Sequence, residues 1–178
     1  MIETERLLLR RFRANDADAL AKTFGDPEVM RYIGDGSTGG LEETRAWIRR
    51  SEERWDESGY GHLAVERRND GRLLGRVGFL VWNRATWDKG VLPELGDPAE
   101  VELGWILARE HWGHGYAAEA ALACRDWAFG ERGRRRLISI IQPANLRSIR
   151  VAERLGAQFE QEIVTAGGQT AHVYALER

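Results

Sequence analysis

Val101-Glu102-Leu103-Gly104-Trp105-Ile106-Leu107 and, close behind it, His111-Trp112-Gly113-His114-Gly115-Tyr116-Ala117 decide how this 178-residue chain is read. The first run is apolar but for one carboxylate and predicts a strand over 101–108. After Gly115, Ala117, Ala120, Ala121, Cys124, Trp127 and Ala128 fall at helical spacing, while Arg125 and Glu131 lie off that stripe. A strand, a glycine-bearing turn and a helix start in succession can make an anion site. Glycines let several backbone N–H groups converge, and the helix N-terminus adds roughly half a positive charge, which suits a pyrophosphate. Ordinary structural turns use glycines as well, so the letters by themselves leave both readings open.

Two rival phosphate motifs can be tested on the same letters. A P-loop needs Gly-Lys-Ser/Thr at the helix start, but Gly115 is followed by Tyr116-Ala117. Gly113 to Ala118 does fit the dinucleotide pattern G-x-G-x-x-A, yet the next strand offers no acidic residue over 138–142 to hold a ribose. A flavin or nicotinamide enzyme is the weaker reading.

Working outward toward the N-terminus, 73–82 and 62–67 read as strands flanking Asn69-Asp70-Gly71, whose Asp-Gly turn chemistry signals a hairpin. Residues 41–57 carry a helical pattern, and Asn15 or Asp16 can cap a helix reaching Phe24. Residues 6–11 make a short strand, and Asp26-Pro27 and the glycines of 34–40 mark a loop. Residues 83–100, with Gly90, Pro93, Gly96 and Pro98, read as one long loop. Toward the C-terminus come strand 137–141, helix 145–155 ended by Gly156, and a closing hairpin of 158–165 with 170–176. The expected architecture is a single α/β (α+β) domain over 1–178. Its sheet is mixed and mostly antiparallel, with six to seven strands and four helices on its faces.

Composition narrows the function classes. Lys and Arg total 26 against 28 Asp and Glu, a net charge of -2, so no basic field exists to hold nucleic acid. The N-terminal run is too often interrupted by charge for a signal peptide, and no later run is long enough to span a bilayer, so a cytoplasmic protein is expected. The one cysteine, Cys124, sits in an alanine-rich helix and reads as a packed thiol. His111 and His114 lack further ligands at zinc spacing, so no metal is expected. Most of the seven tryptophans read as core, whereas Trp82 and Trp87 beside the long loop suit a substrate cleft or a dimer contact.

Glu102-Leu103-Gly104-Trp105 with Trp112-Gly113-His114-Gly115-Tyr116-Ala117-Ala118-Glu119-Ala120 resembles the acetyl-CoA motif of the GNAT superfamily of N-acetyltransferases. Thr4-Glu5-Arg6-Leu7-Leu8-Leu9-Arg10, Asp26-Pro27-Glu28-Val29-Met30-Arg31-Tyr32, Leu74-Gly75-Arg76-Val77-Gly78 and the run from Asn145 to Gly156 are similar, in that order, to its ribosomal-protein N-terminal (alanine/serine) acetyltransferase branch. The resemblance covers nearly the whole chain. One departure is Trp112, which stands where the superfamily usually has Gln or Arg.

The resemblance implies a GNAT fold whose sheet splays in the middle, with acetyl-CoA as co-substrate and direct attack by a primary amine in a ternary complex. The amine would belong to a protein N-terminus or a small compound, and the enzyme would be a monomer or homodimer. Leu103, Trp105 and Ile106 would flank the pantetheine arm, and Trp112, Gly113, His114, Gly115, Tyr116, Ala117 and Ala118 would hold the pyrophosphate. Asn145 would bind the arm, with Arg147 and Arg150 on the CoA phosphates; the run Arg134-Arg135-Arg136 reads as solvated surface. Glu102 is the candidate base, or else a solvated strand-edge carboxylate. Ser148 or Tyr116 would protonate the thiolate, although helix capping alone accounts for Asn145 and Ser148. A catalytically idle GNAT domain that senses acetyl-CoA or scaffolds a partner would use the same turn. Finally, Asp88, Glu94, Asp97 and Glu100 against Arg84 and Lys89 make 83–100 locally acidic, either an attractor for an ammonium substrate or an ordinary solvated loop.

Overall fold

A computed structural model of the chain describes residues 1–96 and 99–178. The strands are β1 (Ile2–Glu3), β2 (Leu7–Arg10), β3 (His62–Arg67), β4 (Leu73–Asn83), β5 (Lys89–Gly90), β6 (Ala99–Leu107), β7 (Arg136–Ile141), β8 (Gln158–Val164) and β9 (Thr170–Glu177). The α-helices are α1 (Ala17–Phe24), α2 (Pro27–Met30), α3 (Leu41–Ser58), α4 (Leu92–Leu95), α5 (Tyr116–Gly130) and α6 (Leu146–Arg154). One sheet contains all the strands in the order β1-β2-β3-β4-β6-β7-β9-β8, with β5 added to β4.

Hairpin connections make most neighbours antiparallel. The Asp70-Gly71 turn joins β3 to β4, with Gly71 in the left-handed region at φ 67°. The exception follows from the α5 crossover, which returns the chain in the same direction, so β6 and β7 run parallel. These two strands pair only where Glu102 faces Ile138. Just beyond, Ser139 Oγ donates to the Leu103 carbonyl at 2.7 Å, so a side chain stands where another rung of backbone would be.

Helices cover both faces. On one, α1 and α3 bury Leu20, Phe24 and Ile48 against Ala64 and Ile106. On the other, the small Ala120, Ala121, Cys124 and Ala128 of α5 pack among Val77, Phe79 and Leu103. Across the middle of the sheet, His62, Gly78 and Gly104 sit side by side on β3, β4 and β6. Gly78 has φ +140°, and a Cβ there would lie 2.5 Å from the Gly61 carbonyl oxygen and 2.7 Å from His62 Cα.

The mixed, mostly antiparallel sheet with helices on its faces stands as expected, and Gly156 ends α6 at φ 90°. Several details differ. Among the described residues nine strands and six α-helices replace the expected counts, because β1, β5, α2 and α4 are pieces of two to four residues within stretches read as loop or terminus. The first helix opens with a 3-10 turn, Ala14–Asp16, and Asp16 does not cap α1. Its carboxylate instead accepts two bonds from the Arg10 guanidinium, at 2.7 and 2.8 Å, and one from the Arg13 N–H at 2.7 Å. Among the described residues no helix is long and apolar enough to cross a membrane.

Because Gly78 meets backbone rather than side chain, Gly78→Ala should lower the unfolding free energy by ~2–3 kcal/mol. Urea titration would measure it, and a loss below ~0.5 kcal/mol would show that the strands part easily at this row.

Candidate active site

The gap between β6 and β7 opens on two cavities. The cavity beside α5 and α6 has a volume of about 470 Å³. Its wall includes Trp105, Ile106, Trp112, Gly113, Gly115, Tyr116, Ala117, Ala118, Asn145, Arg147 and Arg150. Gly113 and Gly115 both take left-handed φ, 80° and 81°, which curls the turn ahead of α5. This leaves the first amides of a fifteen-residue helix facing a groove with Arg147, Arg150 and Arg154 on its other side, a setting that fits a pyrophosphate. Arg147 stacks 4.4 Å over the Trp112 ring, and Trp112 Nε1 donates to the Leu107 carbonyl at 2.8 Å.

The turn is braced from the N-terminus of the chain. Arg6 Nη1 donates to the His114 carbonyl at 3.0 Å, Arg6 Nε to Glu119 at 2.7 Å, and Thr4 Oγ1 to Glu119 at 2.5 Å. The Arg6 guanidinium also covers the Tyr116 ring at 4.6 Å. His114 does not join the cavity wall; its exposed ring bonds the Trp112 carbonyl at 2.8 Å and stacks on Tyr116. The Tyr116 hydroxyl lies beside Arg67.

The second cavity, about 430 Å³, lies on the α1/α3 face. Its floor is the row His62, Gly78 and Gly104, and Arg76, Leu80, Trp82, Trp87 and Glu102 stand around it. Tyr32, Ile33, Trp105, Asn145 and Ser148 belong to the walls of both cavities, so the two meet at the strand gap. Asn145 caps α6 by accepting from the Ser148 N–H at 3.2 Å, and Ser148 itself lines both cavities. Leu103 packs its side chain on the α5 face but also borders the second cavity, and its carbonyl is held by Ser139. Strand alternation points the Trp105 N–H to the same side as that carbonyl, into the gap.

Glu102 is half-buried and accepts from Trp82 Nε1 at 2.6 Å. Burial pushes its pKa above the ordinary 4.5, while the Trp82 bond and the charges of Arg76 and Lys89 oppose the shift. Burial likewise pushes Arg76 down to about 10, which leaves it charged at neutral pH. His62, only 2% exposed, is held well below 6.5 by burial and by neighbouring cations, and is neutral. The expected acidic loop does not gather here. Glu100 is 5% exposed and paired with Arg136 at 3.1 Å, and Glu94 lies on a separate surface beside Arg50 and Arg54. Asp97 is outside the described residues. Asp88 reaches the cavity, and so does its cationic neighbour Lys89.

A perforated sheet with an anion-binding turn on one side and a carboxylate-bearing hollow on the other is matched by the family model of the acetyltransferase (GNAT) domain, over residues 6–158. The chain belongs to the GNAT acetyltransferase family. It is 35% identical over 167 residues to the protein YkkB of Bacillus subtilis (strain 168), covering 90% of this chain and 86% of that one. An acetyltransferase structure from Agrobacterium tumefaciens superposes with a TM-score of 0.79 at 31% identity, covering 99% and 94% of the two chains. RimL, a ribosomal L7/L12 α-N-protein acetyltransferase solved with coenzyme A, shares the fold at 17% identity with a TM-score of 0.77, over 98% and 95% of the chains. GNAT acetyltransferases use acetyl-CoA, and the α5/α6 cavity has the glycine turn and cations to hold it.

Sequence reasoning about this GNAT domain passed over His62, Arg76, Tyr32 and Lys89 as site residues. A signal existed for Arg76. Counting by twos from it gives Gly78, Leu80 and Trp82, one strand face, so a charge there faces whatever Glu102 faces across the pair Leu80–Glu102.

Asn145 both caps a helix and lines the junction. Asn145→Ala should cost ~1 kcal/mol in melting experiments and also weaken acetyl-CoA binding in calorimetry beyond that loss. Asn145→Asp should restore the melting temperature without restoring affinity; if affinity returns with stability, the side chain serves the helix alone.

Proposed function

We propose that the chain transfers the acetyl group of acetyl-CoA to a primary amine by direct attack in a ternary complex, with Glu102 as base and Ser148 as acid. The observation that carries this reading is the meeting of two cavities at Trp105, Asn145 and Ser148, with Glu102 on the side opposite the glycine turn. An amine must shed a proton to become a nucleophile, and a carboxylate whose pKa is raised by burial is a better proton acceptor than a solvated one. Trp82 fixes one Glu102 oxygen by its 2.6 Å bond.

The Trp105 N–H, turned into the gap, is the donor for charge developing on the thioester oxygen. Departing sulfur needs a proton as well. Ser148 faces both cavities, whereas Tyr116 lines only the α5/α6 side with its hydroxyl toward Arg67, so Ser148 is the donor. On the cofactor side, amides from Gly113 to Ala118 hold the pyrophosphate, Arg147 and Arg150 the remaining phosphate charge, and Leu103, Trp105, Ile106 and Asn145 the pantetheine arm. His114 contributes through its backbone, since its ring lies outside the cavity wall.

Glu102→Gln should lower kcat by ~10²–10⁴ while calorimetric affinity for acetyl-CoA stays nearly constant. As a base, Glu102 acts only when ionised, so wild-type kcat/KM should fall as pH drops through its raised pKa, and the Gln variant should lose that limb. A limb retained in the variant assigns deprotonation to another group. Ser148→Ala should reduce kcat with little change in acetyl-CoA affinity, read from released thiol.

A further inference from the structure

Arg76 is attracted by Glu102 across the hollow but makes no contact ion pair with it. Among the described residues no carboxylate comes within ion-pair distance of it, and its buried Nε finds no acceptor. The guanidinium leans on the Trp47 ring at 5.5 Å and fronts the second cavity. A half-buried guanidinium with no contact ion pair and one unsatisfied buried N–H is costly, and an arriving anion lowers that cost. We infer that the acceptor is a small amine that also bears a carboxylate, seated with the carboxylate on Arg76 and the amine at Glu102. This rests on the acetyl-transfer reading above and names the class of its acceptor.

Gly104 supplies the geometry. A carbon placed where its Cβ would be lies 3.5 Å from Glu102 Oε1 and 3.8 Å from Arg76 Nη1, so one small molecule over this glycine reaches both charges together. An α-amino acid carries its ammonium and its carboxylate on a single carbon and fits that demand. A purely cationic amine would have Glu102 for a partner but would also sit against Arg76, with Lys89 at the cavity mouth 5.5 Å over the Trp82 ring. The exposed rim carboxylate Asp88 makes no ion pair with Arg76 among the described residues. His62 adds a polar site. Its buried Nδ1 has no partner among the described residues, and its ring forms part of the same floor. Leu80, Trp82 and Trp87 leave apolar wall for a side chain within a volume of about 430 Å³. In a protein N-terminus the α-carboxyl is an amide, which would leave Arg76 unpaired.

The test uses the intact chain saturated with coenzyme A, titrated in a calorimeter with the common amino acids, their carboxamides and their decarboxylated amines. Free acids should bind at least ten-fold tighter than the matching amides. Arg76→Gln should bring that ratio within about two-fold, and Lys89→Met should reduce it in part. In acetylation assays with acetyl-CoA the acid-over-amide preference should appear in KM rather than kcat. Should Arg76→Gln melt early, the wild-type ratio and the rim variant Lys89→Met decide. Amides or simple amines that bind as tightly as the acids overturn the proposal, as does the absence of any acid binding at millimolar concentration. Acetylation of simple amines without preference for acids keeps the transferase reading and sinks the carboxylate seat. Acids that bind in an Arg76-dependent way without being acetylated do the reverse.

Discussion

Among the described residues Glu102 opposite Ile138 is the sole pair that ties β6 to β7, and the gap between the strands opens because the ladder stops there. A parallel pair of ordinary length would spend its amides and carbonyls on rungs and close the sheet. Here the Ser139 hydroxyl satisfies the Leu103 carbonyl, so the separation costs no buried, unpaired oxygen at that point. The Trp105 amide is left facing an opening instead of a neighbouring strand. The same crossover that forces the parallel direction also delivers the N-terminus of α5 beside the opening, so anion site and aperture come from one connection.

Charges in this protein are handled in two ways, and the contrast separates scaffold from site. At the base of the N-terminal strand, Arg10 is saturated by Asp16 and Glu66 at 2.7–2.8 Å. Burial pushes Asp16 upward, but its bonds from Arg10 and Arg13 outweigh that and hold it below the ordinary carboxylate range. In the hollow beneath β4 and β6, burial wins. Glu102 is raised, Arg76 is lowered and His62 is kept neutral, because the partners that would reverse those shifts are too few. Groups held this way are ready to exchange protons or take up a ligand, whereas the closed network around Arg10 is occupied with folding.

Much of this was legible in the letters, for reasons that can be named. The Asp70-Gly71 hairpin, the α6 cap at Asn145 and stop at Gly156, and the strand-turn-helix of 101–130 are local, each set by backbone chemistry within a few residues. The short pieces β1, β5, α2 and α4 were not; β5, for one, is a strand only by virtue of pairing with Val81 and Trp82. Asp16 looked like a cap because its partner Arg10 belongs to a different element. The acidic count over 83–100 has a related limit: a linear sum cannot show that Glu100 turns to Arg136 on another strand. Arg76 needed the register between β4 and β6 before it could be set beside Glu102.

The two glycines of the cavity floor have different freedoms. Gly78 is fixed by φ +140° and by backbone within 3 Å of any added carbon, whereas Gly104 has an ordinary φ and meets only side-chain atoms at 3.5 Å and beyond. A side chain at Gly78 would therefore disturb the architecture, whereas one at Gly104 would meet only side chains. One codon at Gly104 can thus make the hollow shallower without disturbing the strands that frame it or the turn across the sheet.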